Sequence, residues 1–207
     1  ANIETPILIT GGLGYVGGRI ADHLGTLVDP RTIRLLTRRS KHSPWSSKFD
    51  VLSGDFTDLD YLRSVLDGVH TVIHLASPNE IESMHDPLLA SDVTTRSTLT
   101  LLMESAAAKV KRFVYFSTFH VYGNKQSGSI REDLLPKPVH PYAISHYAAE
   151  GWVNMFRSNS KLETLIFRLS NCYGAPMDND INRWMLVFND LCLQAVTKEH
   201  ISLTSSG

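Results

Sequence analysis

The run Thr10-Gly-Gly-Leu-Gly-Tyr-Val-Gly-Gly18 constrains this chain more than any other segment. It follows Pro6-Ile-Leu-Ile-Thr10, which reads as a buried strand, and it opens Tyr15–Leu27, which reads as a helix. Gly11, Gly14 and Gly17 recur at every third position. Glycines between a strand and a helix let backbone N–H groups approach a pyrophosphate, and the helix N-terminus then faces the negative charge. Tyr15 and Val16 complete the candidate contact surface with the three glycines. The alternative for this segment alone is a tight turn with no ligand. The spacing is Gly-x-x-Gly-x-x-Gly, not the Gly-x-Gly-x-x-Gly of the ordinary dinucleotide fingerprint.

Apolar runs alternate with helical patterns through the rest of the chain, as βαβ units with a parallel sheet require. Strands are expected at Ile33–Thr37, Phe49–Ser53, Thr71–Leu75, Arg112–Ser117 and Thr164–Leu169, with a further one beginning at Ile201–Thr204. Helices are expected at Leu59–Leu66, Asp86–Ala108, Tyr142–Arg157 and Arg183–Val196. The loops richest in breakers, 39–47, 123–140 and 175–182, each follow the carboxyl end of a strand. In an open parallel sheet that edge is where ligands bind. The expected fold is therefore a doubly wound α/β sheet of Rossmann type, in one domain over residues 1–207. The chain ends at Gly207 directly after an apolar strand pattern. The expectation is that a substrate-binding portion only begins after about residue 170 and continues beyond this sequence.

Composition narrows the partners. A chain of 207 residues buries a sizeable core. Its formal charge of -1 gives no reason to expect nucleic acid or an acidic membrane surface. The nine histidines show no metal-ligand spacing, so no metal is expected. Two lone cysteines, Cys172 and Cys192, make no disulfide framework and point to a reducing cytoplasm. No signal-like segment and no long apolar run is present, so no membrane is expected.

The strand ends carry the polar candidates. The second strand runs into Arg38-Arg39. An acidic residue there selects NAD by bonding the ribose hydroxyls, whereas arginines suit a 2′-phosphate. The pair favours NADP over NAD, unless it is only a solvated basic turn. Next comes Gly54-Asp55-Phe56-Thr57-Asp58, where Asp55 and Phe56 are candidates for the adenine. Thr57 or Asp58 is the alternative candidate, as a helix N-cap. Leu75-Ala-Ser77 closes the fourth strand, and its small residues let a cofactor pass close to the backbone. A buried strand also often ends this way.

The fifth strand leads into Ser117-Thr-Phe-His-Val-Tyr-Gly123, and Pro141-Tyr-Ala-Ile-Ser-His-Tyr-Ala-Ala-Glu150 follows. With Thr10–Gly17, Gly54–Asp58, His74–Ala76 and Arg168–Pro176, these segments resemble, in order, the extended short-chain dehydrogenase/reductase family. That family includes nucleotide-sugar epimerases, dehydratases and related reductases. The resemblance implies that Tyr142 is the catalytic tyrosine, whose phenolate takes a proton from a substrate hydroxyl while hydride goes to the nicotinamide. It implies that Thr118 orients the reacting oxygen, and that Ser117, His120 and Asn171 contact the substrate. Ser117 and Thr118 also fit ordinary strand-end positions, and Asn171 a turn.

Two positions depart from the family pattern. Its Tyr-x-x-x-Lys is Tyr142-x-x-x-His146 here, and its helix asparagine falls near Thr94. His146 lies one turn from Tyr142 on the same helix face and is the candidate substitute for the lysine. A histidine is shorter and mostly neutral at pH 7. Three expectations follow: an enzyme using a charged His146, a non-catalytic dinucleotide sensor or assembly protein, or another cation in the lysine's place. The resemblance favours an NAD(P)-dependent epimerase, dehydratase or reductase acting on a nucleotide sugar. No Asp-Glu pair follows Thr118, where the family's dehydratases carry their acid and base. Homodimer formation through two helices, Asp86–Ala108 and Tyr142–Arg157, is expected by analogy.

Overall fold

The computed structural model describes residues 3–38, 43–55, 58–123, 128–198 and 200–203. Six parallel strands lie in the order β3-β2-β1-β4-β5-β6: β1 Ile7–Thr10, β2 Ile33–Thr37, β3 Asp50–Ser53, β4 Thr71–His74, β5 Arg112–Thr118 and β6 Glu163–Leu169. This is the order that doubly wound dinucleotide folds adopt, with its switch point between β1 and β4. Both register sets from β1 begin at Ile7, which faces Ile33 on one side and Thr71 on the other. All four residues of β1 are buried, so β1 needs the continuous apolar run that the sequence supplies.

Helices cover both faces. The first is α1, Tyr15–Leu24, and the second α2, Leu59–Leu66. Then come α3 Glu80–His85, α4 Pro87–Ala90 and α5 Ser97–Ala107. The last two are α6 Pro141–Asn159 and α7 Val187–Thr197. Two apolar clusters fill the layers. One joins Leu8, Leu36, Val72, Phe113 and Tyr115 to α2, α5 and α6. The other packs Ile7, Ile9, Ile33 and Leu35 under α1.

Several boundaries differ from expectation for local reasons. Helix α1 stops at Leu24, because Thr26 and Leu27 turn back onto His23 and Leu24 in tighter three-residue bonds. The expected helix over Asp86–Ala108 holds a π-helical stretch at Ser91–Arg96 between α4 and α5. Helix α3 was not anticipated; a capping box of Asn79 and Glu82 starts it. Helix α7 begins at Val187, not Arg183. Residues Ile201–Leu203 form no strand; the Ser202 N–H donates instead to Gln194 Oε1 at 2.8 Å. Among the described residues, no helix is long and apolar enough to cross a membrane.

Candidate active site

The glycine loop sits at the carboxyl edge of β1, where its backbone is forced close to its neighbours. Gly11 has φ +68, a left-handed conformation that glycine adopts freely. A Cβ on Gly17 would stand 2.2 Å from the Gly11 carbonyl oxygen, so only glycine fits there. Gly14 caps α1 without any side-chain bond, and no acidic residue stands in the first turn. The first-turn N–H groups are therefore left for water or an anion, and the positive end of the helix dipole points the same way.

This loop opens into a cleft of about 810 Å³. Gly11, Gly14, Tyr15, Val16 and Gly17 line it on one side, with Leu75, Ala76 and Ser77 from the end of β4. Ser117, Thr118, His120, Tyr142, His146 and Asn171 line it from the β5, α6 and β6 side. A second cleft of about 450 Å³ shares Gly11, Gly14, Ala76 and Ser77 and extends past Arg38 and Gly54. Two hollows meeting on a glycine loop suit an extended molecule with a diphosphate at its middle. Arg38 and Asp55 are exposed at the far end. Arg39 and Phe56, the other candidates there, lie outside the described residues.

Tyr142 stands in the first turn of α6, which His140 caps through its ring and Pro141 begins. Tyr142 is half-buried. Burial first, and then the Glu80 carboxylate, push its pKa up to about 12, while a Thr118 hydrogen bond and the Arg183 charge oppose the rise. The ring of His146 lies 4.5 Å from that of Tyr142, centre to centre.

His146 is not a free cation. It is 3% exposed, and both ring nitrogens are engaged. Nδ1 is 2.8 Å from the Tyr115 hydroxyl and Nε2 is 3.1 Å from Ser77 Oγ. Burial pushes its pKa down to about 3, with smaller contributions from His74 and His120. Ser77 Oγ in turn lies 2.9 Å from Thr94 Oγ1. The two positions that depart from the family pattern, 94 and 146, are thus joined through one serine. The π-helical stretch carries Thr94, which is 2% exposed. The extra residue per turn there changes the direction of side chains along the helix. The polar chain runs on through His74, which bonds Thr10 at 2.6 Å and Thr98 at 2.9 Å.

A second buried cluster supports the floor. The Ser117 hydroxyl donates to Glu150 at 2.5 Å. Glu150 also receives Arg168, whose Nη2 lies 2.8 Å from Oε2, and Arg168 Nη1 donates to the Tyr122 hydroxyl at 2.8 Å. Thr118 Oγ1 accepts the His120 N–H at 3.2 Å, and His120 Nε2 faces Glu80 Oε1 at 3.7 Å. Sequence reasoning missed Glu80, Glu150 and Tyr115 as neighbours of the site, since nothing local in the chain marks them.

The sheet order, the open N-terminus of α1 and the two clefts on the glycine loop together define an α/β protein of Rossmann type with a crevice at its switch point. The chain belongs to the NAD dependent epimerase/dehydratase family, whose model matches residues 7–207. It is 28% identical over 176 residues to a putative UDP-glucose 4-epimerase of Methanocaldococcus jannaschii, covering 83% of this chain and 57% of that protein. It is 28% identical over 182 residues to a UDP-glucose 4-epimerase of Rhizobium leguminosarum bv. trifolii, covering 86% of this chain and 55% of that protein. The structure of MoeE5 in complex with UDP-glucose and NAD superposes with a TM-score of 0.79 at 26% identity, over 94% of this chain and 62% of MoeE5. The chain spans little more than half the length of these curated relatives.

Proposed function

We propose that this chain carries the cofactor and acid–base half of an NAD(P)-dependent epimerase, dehydratase or reductase that acts on a nucleotide sugar. One observation supports the reading above the rest. The open glycine loop and the Thr118–Tyr142 pair face the same cleft. MoeE5, with its UDP-glucose and NAD, gives the chemical class of both ligands.

The residues fit a dinucleotide. Gly11, Gly14 and Gly17 let the loop pack closely on itself and on Leu75–Ala76, and the N–H groups of Tyr15, Val16 and Gly17 in the first turn of α1 are the candidates to receive a diphosphate. Arg38 stands at the adenosine end of the second cleft, with Asp55 next to Gly54. An arginine there suits a 2′-phosphate, so the proposal prefers NADP over NAD, although MoeE5 holds NAD. When bound, the nicotinamide accepts hydride from a substrate carbon, and in an epimerisation returns it.

The chain's own groups handle the proton. Tyr142 Oη takes the hydroxyl proton of the substrate, and Thr118 orients that oxygen. A phenol held near pKa 12 is protonated at neutral pH, so a nearby positive charge has to favour the phenolate. His146, buried and neutral, holds position through Tyr115 and Ser77 and does not supply that charge. Ser117, His120 and Asn171 border the substrate side of the cleft.

The proposal includes one domain over 1–207, with the substrate portion beginning near residue 170. It also includes a homodimer, since α6 exposes Ile144, Tyr147, Trp152 and Met155 on one side. The free cysteines Cys172 and Cys192 suit a reducing cytoplasm.

The test is a panel of nucleotide sugars incubated with NAD or NADP and followed by NMR, alongside Tyr142→Phe. The expected result is turnover in the wild type. Tyr142→Phe should bind the dinucleotide equally well and lose roughly 10²–10⁴-fold in rate. A wild type that binds neither dinucleotide overturns the reading.

A further inference from the structure

The pattern Tyr142-x-x-x-His146 leaves the cleft without the cation that a lysine would bring, and the structure shows which residue is placed to replace it. Among the described lining residues of the larger cleft, Arg183 is the sole arginine or lysine and Glu80 the sole carboxylate. Both act on the same group: Glu80 raises the Tyr142 pKa and Arg183 lowers it.

Arg183 is held over the cleft by its backbone. Asn189, 6% exposed, is the staple. Its Nδ2 donates to the Arg183 carbonyl at 3.1 Å and to the Tyr15 hydroxyl at 2.9 Å, and its Oδ1 accepts the Gly174 N–H at 2.9 Å. The Tyr15 hydroxyl donates to the Gly174 carbonyl at 2.8 Å, and Arg19 donates to the Ala175 carbonyl at 2.7 Å. The segment after β6 is thus fastened to the first turns of α1, beside the glycine loop. The guanidinium itself has no hydrogen-bond or ion-pair partner among the described residues, so its five donors are available to the cleft.

We propose that Arg183 is the positioning cation of the Tyr142 site, doing from the β6–α7 segment what a lysine one turn along α6 does in the family pattern. The proposal rests on the reading of Tyr142 as the proton shuttle. Arg183 acts through Tyr142: a guanidinium stays charged at every working pH, and both side chains are half-buried in the same cleft, where a charge is screened less than in bulk water. The other groups around the phenol cannot take this part. Glu80 from α3 is an anion, His146 from α6 is buried and neutral, and Cys172 after β6 has its thiol pKa raised by burial. His140, at the start of α6, has its pKa lowered by burial and then by His120. His120 already faces Glu80 at 3.7 Å.

The experiment replaces Tyr142 with 3,5-difluorotyrosine, whose phenol titrates where the protein is folded, and reads its protonation by fluorine NMR. Arg183→Met should move the midpoint upward by on the order of one pH unit, and Arg183→Lys should recover most of the shift. Glu80→Gln should move it downward. An unchanged midpoint in Arg183→Met, or a shift that Arg183→Lys fails to recover, overturns the proposal. Binding of both NADP and NAD, measured on the same samples, keeps the two readings apart. Loss of binding in every sample, the native Arg183 form included, refutes the dinucleotide function. The midpoint alone decides the role of Arg183.

Discussion

Mild acid should weaken this fold through two buried imidazoles. His74 and His146 are fully enclosed, and burial depresses each pKa to about 3. In the unfolded chain both titrate near 6.5. Above about pH 7.5 neither state binds the extra proton, and the histidines add no pH dependence. Between about 6.5 and 3 the unfolded chain binds nearly one more proton at each site, so stability falls with falling pH. The slope is about 1.4 kcal/mol per pH unit for each histidine, which gives about 2 kcal/mol each at pH 5, or about 4 kcal/mol for the pair. That is a large part of the roughly 5–15 kcal/mol that holds a domain together. His140 acts in the same direction, since burial also lowers its pKa. Urea unfolding followed by fluorescence of Trp45, Trp152 and Trp184, repeated from about pH 8 to about pH 5, measures the slope. His146→Gln should remove about one proton from it. A wild type that loses less than about 1 kcal/mol over this range, or a His146→Gln slope equal to the wild type, would refute the closed network around Ser77 and Tyr115.

Other outcomes follow from single contacts. Gly17→Ala places a methyl 2.2 Å from the Gly11 carbonyl and should cost about 1–3 kcal/mol and abolish dinucleotide binding, as calorimetric titration will show. Arg38→Asp should weaken NADPH much more than NADH; equal loss in a paired titration removes the NADP preference. Glu150→Ala removes the carboxylate that Ser117 and Arg168 share, leaving Arg168 only its bonds to the Tyr122 hydroxyl and the Glu132 carbonyl, and should cost about 1–3 kcal/mol of stability in urea unfolding. Glu150→Gln should recover part of that loss, because it still accepts from both.

Much of the architecture was legible in the chain because it is written locally. The apolar run at Ile7–Thr10, the glycines at 11, 14 and 17, and the alternation of strands and helices mark a doubly wound parallel sheet, and the structure has one. The carboxyl edge of such a sheet gathers residues 75–77, 117–120, 142, 146 and 171 around one cleft. What stayed hidden is non-local or depends on small backbone changes. Ser77 and His146 are 69 residues apart, and Asn189 and Tyr15 are 174 apart, so no spacing rule connects them. The π-helical turn that carries Thr94 has no composition signal. Helix α3 did have one, the Asn79–Glu82 capping box, although its short length left little periodicity to read. Arg183 looked like the first residue of a helix, but it precedes α7 and lines the cleft, in a segment that Asn189 ties to Tyr15, 174 residues away.

A co-crystal with NADP or NAD tests the central claim most directly. The account predicts the diphosphate on the N–H groups that follow Gly14, the adenosine end toward Arg38, and the nicotinamide ring against Tyr142. A dinucleotide bound elsewhere, or a phenol turned away from the ring, would contradict it.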